Sequence, residues 1–170
     1  MALLIAFAGL PGSGKSTIAR ELALRTGAIW LRVDSIEQSI KESGVVPGDM
    51  RDAGYRAAHA VAFDNLRLGR DVVADCVNDW KIARDGWQAI GFRAGVEVVW
   101  VEVVCSDATE HRRRVETRTV DVVGLELPDW QAVVQRDYHD WDRERLTVDT
   151  ADCTIDDPVE PILATLRRRL

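Results

Sequence analysis

Leu3-Leu4-Ile5-Ala6-Phe7-Ala8-Gly9-Leu10-Pro11-Gly12-Ser13-Gly14-Lys15-Ser16-Thr17 is the stretch from which the rest of the chain can be read. Leu3–Ala8 is continuously apolar, the pattern of a strand buried on both faces. Gly9 to Ser16 then matches G-x-x-x-x-G-K-[ST] in full. A helix is predicted from Lys15 to Arg25, with Ile18 and Leu22 on one face and Gly27 where a helix-ending residue is expected. The motif therefore sits between a strand and a helix, as its mechanism requires. Its glycines let successive N–H groups face one anion, and the positive end of the helix adds to that field. Lys15 supplies a point charge for β- and γ-phosphates, the Ser16 hydroxyl is a ligand for Mg²⁺, and Thr17 is free to touch the α-phosphate. The nucleotide-binding set is thus Gly9, Leu10, Pro11, Gly12, Ser13, Gly14, Lys15, Ser16 and Thr17.

Outward from this motif, apolar strands and helices alternate. Ala28–Val33 reads as a strand with Asp34 at its carboxyl end, and Ser35–Lys41 as a short helix closed by Gly44. A loop over Val45–Asp52 precedes a long helix ending near Leu68. Asp71–Ala74 is the third strand and delivers Asp75. The helix Lys81–Arg93 leads through Gly95 to the strand Val96–Val104. A charged helix follows over Asp107–Thr117, then a mobile loop over Arg118–Pro128, a helix Trp130–Trp141, a short strand Leu146–Val148 and a closing helix Val159–Leu170. This order predicts an α/β fold: a parallel sheet of five strands covered on both faces, in a single domain over residues 1–170.

Composition narrows the function classes. The chain has 170 residues, 46% hydrophobic, enough for a real core in one domain. Its formal charge of −6 disfavours coating nucleic acid or an acidic membrane. Cys76, Cys105 and Cys153 are far apart, with no CxxC pair or Cys/His metal spacing, and read as reduced cytosolic thiols. The apolar run Ala2–Ala8 is too short to span a membrane and lacks a signal peptide's basic flank, so a cytoplasmic location is expected. Oligomeric state leaves no trace in the sequence.

On Gly9–Thr17, Val33-Asp34-Ser35, Val72-Val73-Ala74-Asp75 and the Arg-rich helix before Pro128, the chain resembles the small P-loop kinases. That group includes gluconate kinases, adenylylsulfate kinases, chloramphenicol phosphotransferase, zeta toxins and polynucleotide 5′-kinases, and the resemblance covers nearly the whole order of elements. It implies a three-layer P-loop NTPase fold with strand order 2-3-1-4-5 and a helical lid over about residues 110–130. It also implies ATP and Mg²⁺ as cofactors and transfer of the γ-phosphoryl group to a hydroxyl of a small molecule: a sugar, sugar acid, nucleoside or antibiotic. A nucleic-acid acceptor is disfavoured, because no basic track is present beyond the lid and Arg167-Arg168-Arg169.

Four roles follow from the resemblance. Asp34 would take the acceptor hydroxyl's proton; its competing role is a helix N-cap. Asp75 would hold Mg²⁺ with Ser16, against the alternative of a turn aspartate. Arg118, then Arg114, would close over the phosphates, against the alternative of a solvated face paired with Glu110 and Glu116. Arg32, Asn78, Asp79, Trp80 and Arg84 are offered for the acceptor pocket, against the alternative of ordinary loop or helix residues, and Asp149–Asp152 for the adenine. Cys76 follows Asp75 where hydrolytic ATPases carry a Glu, which tilts the reading from hydrolysis toward transfer. The guanine-reading [NT]-K-x-D pattern is absent, which favours ATP over GTP. A nucleotide-dependent switch or ATPase without a small-molecule acceptor is the alternative class.

Overall fold

The computed structural model describes residues 2–44, 51–119, 121–154 and 156–169. Strands β1 (Leu3–Ala8), β2 (Ile29–Arg32), β3 (Val72–Asp75), β4 (Glu97–Val104) and β5 (Leu146–Asp149) form a parallel sheet in the order β2-β3-β1-β4-β5. Parallel neighbours need crossovers, and helices supply them. These are α1 (Lys15–Thr26), α2 (Val33–Glu42), α3 (Ala53–Arg67), α4 (Lys81–Ala94), α5 (Ala108–Thr117) and α6 (Trp130–Val134), with α7 (Asp156–Arg167) after β5.

The period-2 alternation of β1 divides the core in two. Leu3, Ile5 and Phe7 pack with Ile18 and Leu22 of α1 and with Val159, Ile162 and Leu166 of α7. Leu4 and Ala6 face the other way, against Ala58, Ala62 and Leu66 of α3 and Trp87 and Ile90 of α4. Burial on both faces explains why β1 reads as an unbroken apolar run. The strand order is the one the resemblance implied, and the fold is the P-loop NTPase architecture expected from it.

Several boundaries differ from the sequence reading. Strand β2 stops at Arg32, because Val33 opens α2 and buries its side chain in the core from the helix. Asp34 therefore lies in the first turn of α2, where the helix dipole favours a carboxylate. The expected helix Trp130–Trp141 ends at Val134. Beyond it, Arg84 captures the carbonyls of His139 and Asp140 with its guanidinium, and Glu102 accepts from Tyr138 Oη, Trp141 Nε1 and Arg145 Nε. These buried partners hold the segment in an irregular path against its local helix preference. Helix α7 begins at Asp156, three residues before expectation, with Asp156 and Asp157 favouring its first turn. Residues 45–50 of the expected loop, Val120 of the expected lid, and Leu170 of the closing helix lie outside the described residues.

Candidate active site

The loop between β1 and α1 is shaped by close approach. Gly9 has φ +144°, and a Cβ there would lie 2.3 Å from the Val103 carbonyl oxygen; a Cβ on Gly12 (φ +83°) would lie 2.5 Å from Val115 Cγ2. The backbone of β4 and the flank of α5 thus press on the loop, and only glycine fits. Four bonds fix the curl. Gly9 N donates to Val77 O at 3.0 Å and Ser13 N to Leu10 O at 3.1 Å. His111 Nε2 donates to Pro11 O at 2.9 Å, and the Thr150 hydroxyl donates to Ser13 O at 2.8 Å. Gly9 and Ser13 are buried behind the loop. Leu10, Pro11, Gly12, Gly14, Lys15, Ser16 and Thr17 line a cleft of about 410 Å³.

At the back of the cleft, Lys15 Nζ donates to Asp75 Oδ1 at 3.0 Å, and Ser16 Oγ donates to the same oxygen at 3.1 Å. Both Lys15 and Asp75 are buried. Burial pulls the Lys15 ammonium's pKa down, but the Asp75 and Asp34 carboxylates outweigh it and the net shift is upward. The lysine is a fixed cation. Asp75 Oδ2 is buried and has no hydrogen-bond partner among the described residues. An orphaned carboxylate oxygen beside a hydroxyl is a donor set suited to a hard, water-bearing cation, so Ser16 and Asp75 fit Mg²⁺. No cluster of three or more His, Cys, Asp or Glu side chains able to hold a metal exists among the described residues, so a cation here would take its other ligands from phosphate and water.

Asp34, Arg32, Arg114 and Arg118 line the same cleft. Asp34 is half-buried, and among the described residues its carboxylate has no hydrogen-bond or ion-pair partner. The position preceding α2 belongs to Arg32 and carries no side-chain cap, so the capping role considered for Asp34 is ruled out. Arg118 ends α5; its Nη2 donates to Pro128 O at 3.3 Å, while Nε is buried without a partner among the described residues. Burial lowers the Arg118 pKa and Asp34 opposes that shift. Arg114 is engaged otherwise, donating to Thr150 Oγ1 at 2.8 Å, Thr150 O at 2.9 Å and Glu110 Oε1 at 2.8 Å. It forms the wall between the cleft and a second cavity of about 240 Å³ lined by Gly14, Thr17, Ile18, Thr150, Cys153 and Pro158. The neighbouring Arg112 and Arg113 are exposed and pair with Glu116 and Glu110, so the solvated charged face considered for Arg114 and Arg118 is made by these two.

Of the residues offered for an acceptor pocket, only Arg32 faces the cleft. Arg84 is fully buried as the clamp on 139–140. Asn78 is fully buried too, donating through Nδ2 to Phe7 O at 2.7 Å. Asp79 is tied to Arg136 at 2.6 Å, and Trp80 stacks on His139 with centroids 5.7 Å apart. Sequence reasoning missed His111 and Asp121. His111 sits at helical spacing from Val115 and could have been read as facing the loop; no local signal pairs Asp121 with Arg32.

The AAA domain family matches residues 4–136, a span that holds Lys15, Asp34, Asp75, Arg114 and Arg118. The chain belongs to this AAA domain family. No curated protein matches it. Among solved structures, this AAA domain protein is similar to the APS kinase CysC of Mycobacterium tuberculosis in complex with AMPPNP and APS, at 19% identity and TM-score 0.70 over 98% of each chain. A gluconokinase from Sinorhizobium meliloti 1021 matches at 23% identity and TM-score 0.65, over 96% of this chain and 91% of that one. Kti12 of Chaetomium thermophilum in complex with ADP-AlF3 matches at 21% identity and TM-score 0.66, over 95% and 97%. These likenesses are of fold.

Proposed function

We propose that the protein transfers the γ-phosphoryl group of ATP to a hydroxyl of a small molecule, with Mg²⁺ as cofactor. The observation that carries this reading is that Asp34, a carboxylate without a hydrogen-bond or ion-pair partner among the described residues, faces the same cleft as the loop lysine Lys15. Its expected work is to accept the proton of the acceptor hydroxyl as the new O–P bond forms and the bond to the β-phosphate oxygen breaks. Lys15 and the loop amides would hold the β- and γ-phosphates, and Arg118 would neutralise charge on the transferring group. Mg²⁺, held by Ser16 and Asp75, would supply further neutralisation of the phosphate oxygens. The small cavity beside Arg114 and Thr150 suits the adenine end of the nucleotide.

A second reading, a nucleotide-dependent switch, draws support from the likeness to Kti12. Against it stands Cys76, a buried thiol whose pKa burial pushes up, at the position where hydrolytic ATPases carry a carboxylate to activate water. The two readings separate in an assay with γ-labelled ATP: transfer needs an acceptor and Asp34, and hydrolysis needs neither. Loss of labelled small-molecule product in Asp34→Asn, with ATP affinity kept, is the outcome expected for the kinase.

A further inference from the structure

We infer that Arg32 anchors an acceptor bearing an anionic oxygen group, and that the Asp121 carboxylate occupies this anchor until the acceptor displaces it. The inference rests on the kinase reading above and names the class of its substrate. Arg32 closes β2, two residues before Asp34. Its Nη1 donates to Asp121 Oδ2 at 2.6 Å and its Nη2 to Asp121 Oδ1 at 3.0 Å, a parallel two-pronged grip. That geometry suits a carboxylate or phosphate better than a neutral polyol, because hydrogen bonds to an ionised acceptor are roughly twice as strong.

The two partners are unequally committed. The Arg32 side chain is 13% exposed and built into the cleft wall, with Nε buried and unpartnered among the described residues. Asp121 is 66% exposed and reaches in from the segment between α5 and α6. A guanidinium withdrawn from water needs a partner, whereas an exposed carboxylate gains little from an ion pair and gives it up readily. Exchange of one carboxylate for another leaves Arg32 paired throughout. Arg32 and Asp34 lie within about 7 Å of each other along the backbone and line the same cleft, a separation suited to an acceptor of a few carbons. Arg114 is tied to Glu110 and Thr150, and in the kinase reading Lys15 and Arg118 meet the phosphates, which leaves Arg32, among the described residues lining the cleft, as the cation for the acceptor.

The test is calorimetric titration of the protein loaded with Mg²⁺ and a non-hydrolysable ATP analogue. The probes are glycerate and gluconate, the corresponding sugar phosphates, and the matched neutral polyols. At least one anion is expected to bind about 100-fold more tightly than its neutral match, and the two anion arms separate carboxylate from phosphate. Arg32→Gln should weaken that anion about 100-fold without changing affinity for the nucleotide analogue, which also reports that the variant is folded. Asp121→Asn should tighten it about 3-fold or more, because the tethered competitor is gone. Equal binding of polyol and anion, no binding by any anion, or an Arg32→Gln variant that binds as the wild type does would each overturn the anchor. Binding as expected, with no label transferred from γ-labelled ATP to the bound anion, would leave the anchor standing and count against the kinase.

Discussion

Lys15 Nζ stands 3.0 Å from Asp75 Oδ1, and both side chains are buried. The strand-ending carboxylate thus fixes the loop lysine from β3, the neighbour of β1 in the sheet. A buried ion pair of this kind contributes little net stability, yet removing one partner strands the other. Lys15→Met is therefore expected to lower stability by about 3 kcal/mol, as well as to abolish use of ATP. The double variant Lys15→Met with Asp75→Asn should recover much of the stability and none of the activity. Denaturant unfolding beside a nucleotide-binding assay checks both halves.

Arg114 and Arg112 sit two residues apart on α5 but differ in consequence. Arg114→Ala removes two bonds to Thr150 and the wall between the two cavities. The KM for ATP should rise about 10-fold or more, on the usual size of charge-assisted hydrogen bonds. Arg112→Ala, which loses only an exposed pair with Glu116, should leave KM unchanged. Steady-state kinetics in ATP distinguishes them.

Gly9→Ala should fail to form the nucleotide site. Its Cβ would meet the Val103 carbonyl at 2.3 Å, a backbone atom with no flexible end to yield. Loss of nucleotide affinity, with a thermal midpoint lowered by several degrees, is the expected result.

His59 gives the fold a dependence on acid. Burial lowers its pKa from 6.5 to about 4, with Asp52 opposing; its ring packs edge-on to Trp87 at 4.4 Å. The unfolded chain takes up the proton first, so this stability is fully present above pH 6.5 and is lost as pH falls toward 4. Its size is about 2 kcal/mol once the half-buried position is discounted. Thermal melts from pH 7 to pH 4.5 should fall less steeply for His59→Gln than for the wild type.

The pattern of what could be read from sequence follows from range. The β1–loop–α1 unit was legible because its signal is local: six apolar residues, a complete phosphate-loop motif and a helix with one apolar face. Asp34, Arg118 and Asp75 were named from positions in an order of elements; the structure gathers them around the phosphate loop, with Asp34 in the first turn of α2 and not at the end of β2. The end of α6 was not legible, since Arg84 and Glu102, which hold residues 138–145 out of a helix, lie over 30 residues upstream, beyond any local propensity. The Arg32–Asp121 grip and the Thr150–Ser13 bond join residues separated by 89 and 137 positions, and only the sheet order brings them together. Asn78 and Arg84 misled for the opposite reason. Polar residues after a strand read as a binding loop, yet both are buried and donate to backbone carbonyls.

The most direct test of the account is γ-labelled ATP and Mg²⁺ incubated with fractionated metabolites, with wild type and Asp34→Asn side by side and labelled products resolved by mass. The account predicts a labelled small molecule formed by the wild type and reduced by ~10²-fold or more in Asp34→Asn, with ATP affinity equal in the two. Labelled phosphate alone, formed equally by both proteins and in every fraction, would contradict it.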